Sequence, residues 1–299
     1  FTYHLREGFE SRAERRKKAE KPLVAAGKDT PVPGFDALEA ERREWTPEVI
    51  VVLRDGARQI IRRVAGPAKA GVHRVAWDLR YPPLDAIGMP PSYFAPEPLG
   101  PLVAPGRYEA TLEARIEGQW RQLAGPVAVE VERMRTGALA GAPIEEIVAF
   151  GQRISTMNRG LSASRLLLPA IEQRLGDLGK ALARSQGGAQ IDARYEAVRQ
   201  QWADLATALG GNPSKAMVNE PAPPTLFDRY FHAYFGVVYS TYGPTPAHKR
   251  SLEIAEAEWK QLGGQLRAFQ LQTLPALEAE VIAAGAPWAP GQALPPPVE

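Results

Sequence analysis

Between Val131 and Ile144 the spacing of apolar residues switches from every second position to every third or fourth. Strands alternate their side chains across a sheet, whereas helices repeat every 3.6 residues. A chain that uses the two periods in succession is expected to fold as a β domain followed by an α domain. The sharpest β signal is the stretch 71–82, where Val75, Trp77 and Leu79 alternate with Ala76, Asp78 and Arg80. A Trp between two aliphatics buries a large apolar area, so this stretch is expected to be a central core strand. Gly71 opens it and Tyr81-Pro82-Pro83 closes it by removing backbone donors. His73 and Asp78 fall on opposite faces of such a strand, which sets them aside as an acid–base pair.

Further strands fit around it. Phe1, Tyr3 and Leu5 share one face, and Val49-Ile50-Val51-Val52-Leu53 and Ile60-Ile61-Arg62-Arg63-Val64 flank Asp55-Gly56, a hairpin signal because Gly tolerates positive φ. Tyr108, Ala110, Leu112, Ala114 and Ile116 form another alternating face, and Val127, Val129 and Val131 a last one. Short alternating strands between Gly and Pro turns spell an antiparallel β-sandwich over residues 1–134. Two segments interrupt it. Residues 8–46 form an insertion: a charged helix over 12–21 ended by Pro22, then a second short helix capped by Asp36 and reaching Trp45. Its basic cluster suits phosphates or anionic lipid headgroups, while its interleaved acids suit a solvated face. Residues 82–105 form a long proline-rich loop containing Met89, Tyr93 and Phe94.

Residues 143–285 carry helical stripes. Pro143, Glu145 and Glu146 suit the start of a helix, whose stripe runs through Ile154, Met157, Leu161, Ile171, Leu175 and Leu178, with a kink or break expected at Pro169. Gly187-Gly188 turns into a second helix carrying Val198, Trp202, Leu205 and Leu209. A third runs from Pro246, capped by Thr245, to Ala284, with Pro275 threatening its last turns. Three amphipathic helices with short turns predict an antiparallel three-helix bundle, followed by a proline-rich tail at 286–299.

The charge balance, 36 Lys and Arg against 34 Asp and Glu, argues against a dedicated nucleic-acid binder. There is no cysteine, and no run is apolar and long enough to span a bilayer. The chain opens on Phe1, already in a strand pattern and without a signal peptide, so a processed product or a fragment is expected. His4, His73, His232 and His248 are scattered without the spacing of a zinc site, and no nucleophile elbow, phosphate loop or dinucleotide fingerprint appears. These absences predict a non-enzyme without metal or cofactor.

One stretch has surplus apolar character: residues 230–242 contain no Lys, Arg, Asp or Glu and hold more aromatics than one helix face can bury. Phe231, Tyr234, Phe235 and Val238 are expected to face the bundle, leaving Tyr230, His232 and Tyr239 to find other partners. The residues proposed to bind a protein partner are Tyr93, Phe94, Tyr230, Phe231, Tyr234, Phe235, Tyr239 and Tyr242. The competing reading is an internal plug at the open end of the bundle.

The pattern G-x-H-x-x-x-W-D-L-R-Y-P at 71–82, followed by G-P-L-V-x-P-G-x-Y at 100–108, resembles an Ig-like domain of the type found in flagellar hook-capping proteins. Together with Asn-Glu-Pro-Ala-Pro-Pro at 219–224 and Gly-Ala-Pro-Trp-Ala-Pro-Gly at 285–291, it is similar to the C-terminal region of exported bacterial proteins with sortilin-like or sialidase-like BNR-repeat β-propellers. The propeller and its Asp boxes are absent here, so no glycan-directed activity carries over. The resemblance implies an Ig-like sandwich, a periplasmic or extracellular location, and a scaffold role in binding other proteins. Because such propellers are compared with photosystem assembly factors, it also implies peripheral docking on a membrane-embedded photosynthetic or electron-transfer complex. The alternative it implies is a carbohydrate-binding or accessory module of a sialidase-like hydrolase.

Overall fold

The computed structural model describes residues 1–90, 98–134 and 140–295. The elements run β1 (Thr2–Leu5), α1 (Arg12–Ala25), α2 (Phe35–Arg43), β2 (Glu48–Arg54), β3 (Ile60–Gly66), β4 (Gly71–Arg74), β5 (Gly106–Ile116) and β6 (Gln119–Val131). They continue with α3 (Ile144–Leu182), α4 (Ala189–Gly210), α5 (Pro213–Met217), α6 (Leu226–Val238), α7 (Pro246–Ala268) and α8 (Leu274–Ala283). The chain is therefore mixed α and β, with the long helices after the strands. It divides into two units, Phe1–Pro82 with Leu102–Thr136, and Pro83–Pro101 with Gly137–Glu299. The described residues 83–90 and 98–101 thus group with the helices, although strands flank them in sequence.

In the first unit an antiparallel sheet runs in the order β3-β2-β5-β6, and β1 pairs with β4 in a second, two-stranded sheet. All five residues Val49, Ile50, Val51, Val52 and Leu53 of β2 are buried. A strand covered on both faces needs a continuous apolar run, not alternation, and β2 supplies one. Tyr3 and Leu5 of β1 pack with Val49, Val51, Ala110 and Ala114, so side chains of both sheets share the apolar core.

The stretch 71–82 departs from the expected long strand. Regular pairing stops at Arg74, although the Val75 N–H still donates to the Phe1 carbonyl at 2.9 Å. Trp77 is part-buried, its ring edge-on to Tyr108 at 5.5 Å, and its indole N–H donates to the Arg80 carbonyl at 3.0 Å. Leu79, expected in the core, has φ +58° and is exposed. A left-handed residue turns the chain, so alternation cannot continue through it. Arg80 then bridges to Leu102, and the Leu79 carbonyl accepts from the Val103 N–H at 2.9 Å. The two motifs at 71–82 and 100–108 are thereby tied together.

Two turns also differ. Between β2 and β3 the left-handed residue is Arg58, φ +62°, not Gly56, and the Asp55 carboxylate organises the loop by accepting from the Ala57 and Gln59 N–H groups at 3.0 and 2.9 Å. Helix α1 does not end at Pro22 but continues to Ala25, where Gly27 at φ +62° lets the Lys28 N–H reach back to the Leu23 carbonyl. Ser11 and Glu14 form its capping box, whereas Gly34, not Asp36, occupies the cap of α2.

In the second unit α3 continues through Pro169 without a break. The expected stripes of α3, α4, α7 and α8 are buried in one core, and α6 joins them through Leu226, Tyr230, Ala233 and Val237. The aromatic segment is thus a full helix of that core beside the three expected ones. Thr245 caps α7 as expected. Ahead of Pro275 the backbone widens into a π-helical turn, Phe269–Thr273. Pro has no N–H and its ring presses on the carbonyl one turn back, and the wider turn accommodates both. Among the described residues no helix is long and apolar enough to cross a membrane.

Candidate protein-binding surface

Helix α6 begins where Thr225 and Asp228 cap each other: the Thr225 hydroxyl accepts from the Asp228 N–H at 3.2 Å, and the Asp228 carboxylate accepts from the Thr225 N–H at 2.8 Å. That start fixes the helix phase. Leu226, Tyr230, Ala233 and Val237 recur at i, i+4, i+7 and i+11 and face the core. A second stripe carries Phe231, Phe235 and Tyr239 at i, i+4 and i+8, leaving the core at Phe231, which still packs partly against it. Their rings stack in succession, Phe231 on Phe235 at 6.1 Å and Phe235 on Tyr239 at 5.6 Å, with interplanar angles of 29° and 27°.

This stripe is open to solvent at its far end: Phe235 is 44% exposed, Tyr239 52%, and Tyr242, just beyond the helix, 48%. At its near end the Arg165 guanidinium lies 5.7 Å from the Phe231 ring centre, a cation–π contact. Tyr234 flanks the stripe, edge-on to Phe235, and its hydroxyl donates to the Leu99 carbonyl at 3.2 Å. Tyr242 is tied down through its carbonyl, which accepts from the Ala142 N–H at 2.8 Å. Rigid aromatics held by stacking lose little entropy when a partner covers them.

The sequence candidates divide accordingly. Phe231, Tyr234, Phe235, Tyr239 and Tyr242 come together on this surface, while Tyr93 and Phe94 lie outside the described residues. Tyr230 does not belong to it. It is 1% exposed, and burial first, then Tyr234 and Asp85, pushes its hydroxyl well above the ordinary range. Phe235, assigned inward, points out instead. Of the four residues expected to face the bundle, Val238 is buried and Phe231 and Tyr234 pack partly against the core, so only Phe235 and Tyr230 exchange places. Leu226 and the T-x-x-D capping box at 225–228 were the signals able to set the helix phase.

A second relationship is invisible in sequence spacing. His232 on α6 and His248 on α7 meet with ring centres 4.8 Å apart. His248 Nδ1 accepts from the Thr245 N–H at 3.2 Å, which places the proton of the neutral ring on Nε2. Burial and the adjacent His232 hold His248 below its ordinary value of 6.5. Among the described residues no group of three or more His, Asp or Glu side chains is placed to hold a metal ion.

Compared with known proteins, the chain matches no protein-family model, no curated protein and no solved structure.

Proposed function

We propose that this chain is a non-catalytic structural subunit that docks a protein partner on the aromatic stripe of α6. The observation that carries the reading is the ordered stacking of Phe231, Phe235 and Tyr239 on a helix face whose outer rings, with Tyr242, are about half exposed. Aromatic residues are enriched in protein interfaces, and the tyrosines add a polar tip to an apolar body. The fold proposed for the first unit is an Ig-like sandwich. Two antiparallel sheets sharing a core support it. So does Tyr108, which donates its hydroxyl to the Ala104 carbonyl four residues upstream at 2.7 Å, as tyrosine corners do. For the second unit the proposal is an antiparallel helical bundle. Export to the periplasm or beyond, and docking on a photosynthetic or electron-transfer complex, rest on the resemblance of the 71–82 and 100–108 motifs.

The test pairs affinity capture from native membranes with thermal melts. Phe235→Ala, Tyr239→Ala and Tyr242→Ala should each weaken association by about 1–3 kcal/mol and leave melting unchanged. Tyr230→Ala, a core truncation, should lower melting instead. Variants of the exposed rings that melt early yet still co-purify with the partner would show the stripe to be a plug. Retention on a glycan array would move the chain to the carbohydrate-module reading.

A further inference from the structure

We infer that the α1–α2 hairpin is a contact for an anionic lipid surface, in which Val24, Val32 and Phe35 enter the interface while Lys17, Lys21 and Lys28 meet the headgroups. Neither helix has a buried residue, so apolar packing does not explain why this insertion is ordered. Charge pairing does. The Arg16 guanidinium binds both oxygens of Glu41 at 2.8 and 2.9 Å and Glu20 at 3.0 Å, clamping one helix to the other. Other cations are likewise committed: Arg12 to Glu44, Lys18 to Glu10, and Arg42 and Arg43 to Glu39. Among the described residues, Lys17, Lys21 and Lys28 are left without a carboxylate at ion-pair distance, and all three are exposed.

Placement gives those lysines a purpose. Lys17, Lys21 and Val24 are spaced i, i+4 and i+7 along one face of α1, and Lys17 also lies within electrostatic reach of Glu14 and Glu41. The backbone bond from Lys28 to Leu23 folds Lys28 back over the end of that helix. Beyond it a loop stiffened by Pro31 and Pro33 presents Val32 at 92% and Phe35 at 91% exposure. Exposed apolar side chains with lysines nearby in the chain are the signature of an interfacial element, in which long cationic stems reach the headgroups beside an inserted wedge. The acids at this end are Asp29 and Asp36, and Asp36 lies in the first turn of α2, where it offsets the positive helix pole. A protein partner fits less well. Two valines and a phenylalanine offer on the order of 500 Å², starting from about 200 Å² for an aromatic. A stable interface takes roughly 800 Å² from each partner. The hairpin is a different element from the aromatic stripe.

Co-sedimentation of the full chain with vesicles tests it, using phosphatidylcholine alone or mixed with phosphatidylglycerol. The chain should sediment with the mixed vesicles, less so as salt rises, and remain in solution with phosphatidylcholine alone. Lys17→Gln, Lys21→Gln and Lys28→Gln combined should weaken binding roughly a hundredfold, from about fivefold per lysine. Phe35→Ser should weaken it several-fold in the otherwise unchanged chain. Because none of these side chains is buried, melting should not move, which keeps loss of binding distinct from loss of fold. Equal binding to both vesicle types, no binding to either, or a triple lysine variant that sediments like the parent would overturn the inference.

Discussion

The indole of Trp259 on α7 fills the space that a side chain at position 160 of α3 would need: a methyl group there would lie 2.6 Å from the ring. A methyl group at Gly263, one turn further along α7, would lie 3.0 Å from the same ring. Trp259 is thus bracketed by two glycines. Gly160→Ala should destabilise the helical unit by about 1–3 kcal/mol, the usual range for overpacking. Urea unfolding followed by Trp fluorescence checks this. A second substitution, Trp259→Leu, should recover part of the loss, whereas unchanged stability in Gly160→Ala alone would mean that the indole swings freely aside.

Arg174 on α3 and Glu278 on α8 form a two-point ion pair, with Glu278 almost fully buried. Removing one partner strands a buried charge, so Arg174→Met should cost about 3–5 kcal/mol. Replacing both, Arg174→Met with Glu278→Leu, should cost far less than the single change. A double-mutant cycle on thermal unfolding reads the difference.

Stability should also depend on pH through His248. Its folded-state value lies below the ordinary 6.5, so the unfolded chain binds the proton more readily than the folded one. The contribution is therefore present above about 6.5 and is lost as pH falls through that value toward the lower folded one. His248→Gln should flatten this part of the melting-temperature profile between neutral and mildly acidic pH. A slope unchanged in His248→Gln would assign the dependence to other groups.

In the β unit, Trp77→Ala should cost about 2–3 kcal/mol, less than a fully buried Trp, because the ring is only part-buried against Tyr108. Leu79→Gly separates the turn from the strand expected there. Glycine adopts φ +58° without the side-chain penalty, so stability should hold or rise slightly, whereas a core strand residue would lose at least 2 kcal/mol, roughly the Leu→Ala minimum.

What the sequence disclosed follows from which forces act locally. The strands β2, β3 and β5 and the long helices were legible because their apolar period is set by burial of one face, or of both for β2, whereas β6, exposed along most of its length, showed only its end at Val127, Val129 and Val131. The caps at Thr245 and Pro246 were legible because a cap is a contact between near neighbours. Leu79 and Arg58 were not, since their left-handed conformations are imposed by the partners each turn must reach, Val103 in one case and Asp55 in the other. In the aromatic helix Phe231, Tyr234 and Val238 pack inward as expected, but Tyr230 and Phe235 are exchanged: both rings are comparably apolar, and contacts with α3, α4 and α7 decide which is covered. The His232–His248 contact joins residues on different helices, which no spacing rule records.

The pairing of Thr2 with Arg74 sets a schedule for how the first unit comes into being. On a ribosome adding about 5–20 residues each second, β1 emerges several seconds before the strand that receives it. Helix segments such as α1 and α2 form within about a microsecond. The charged insertion therefore has time to sample its helices while Tyr3 and Leu5 are still uncovered, and every helical turn it holds leaves the chain that must loop back fewer conformations to lose. Shortening that insertion changes the time for which an apolar strand stands alone, a quantity measurable by arrested-chain proteolysis and absent from any equilibrium melt.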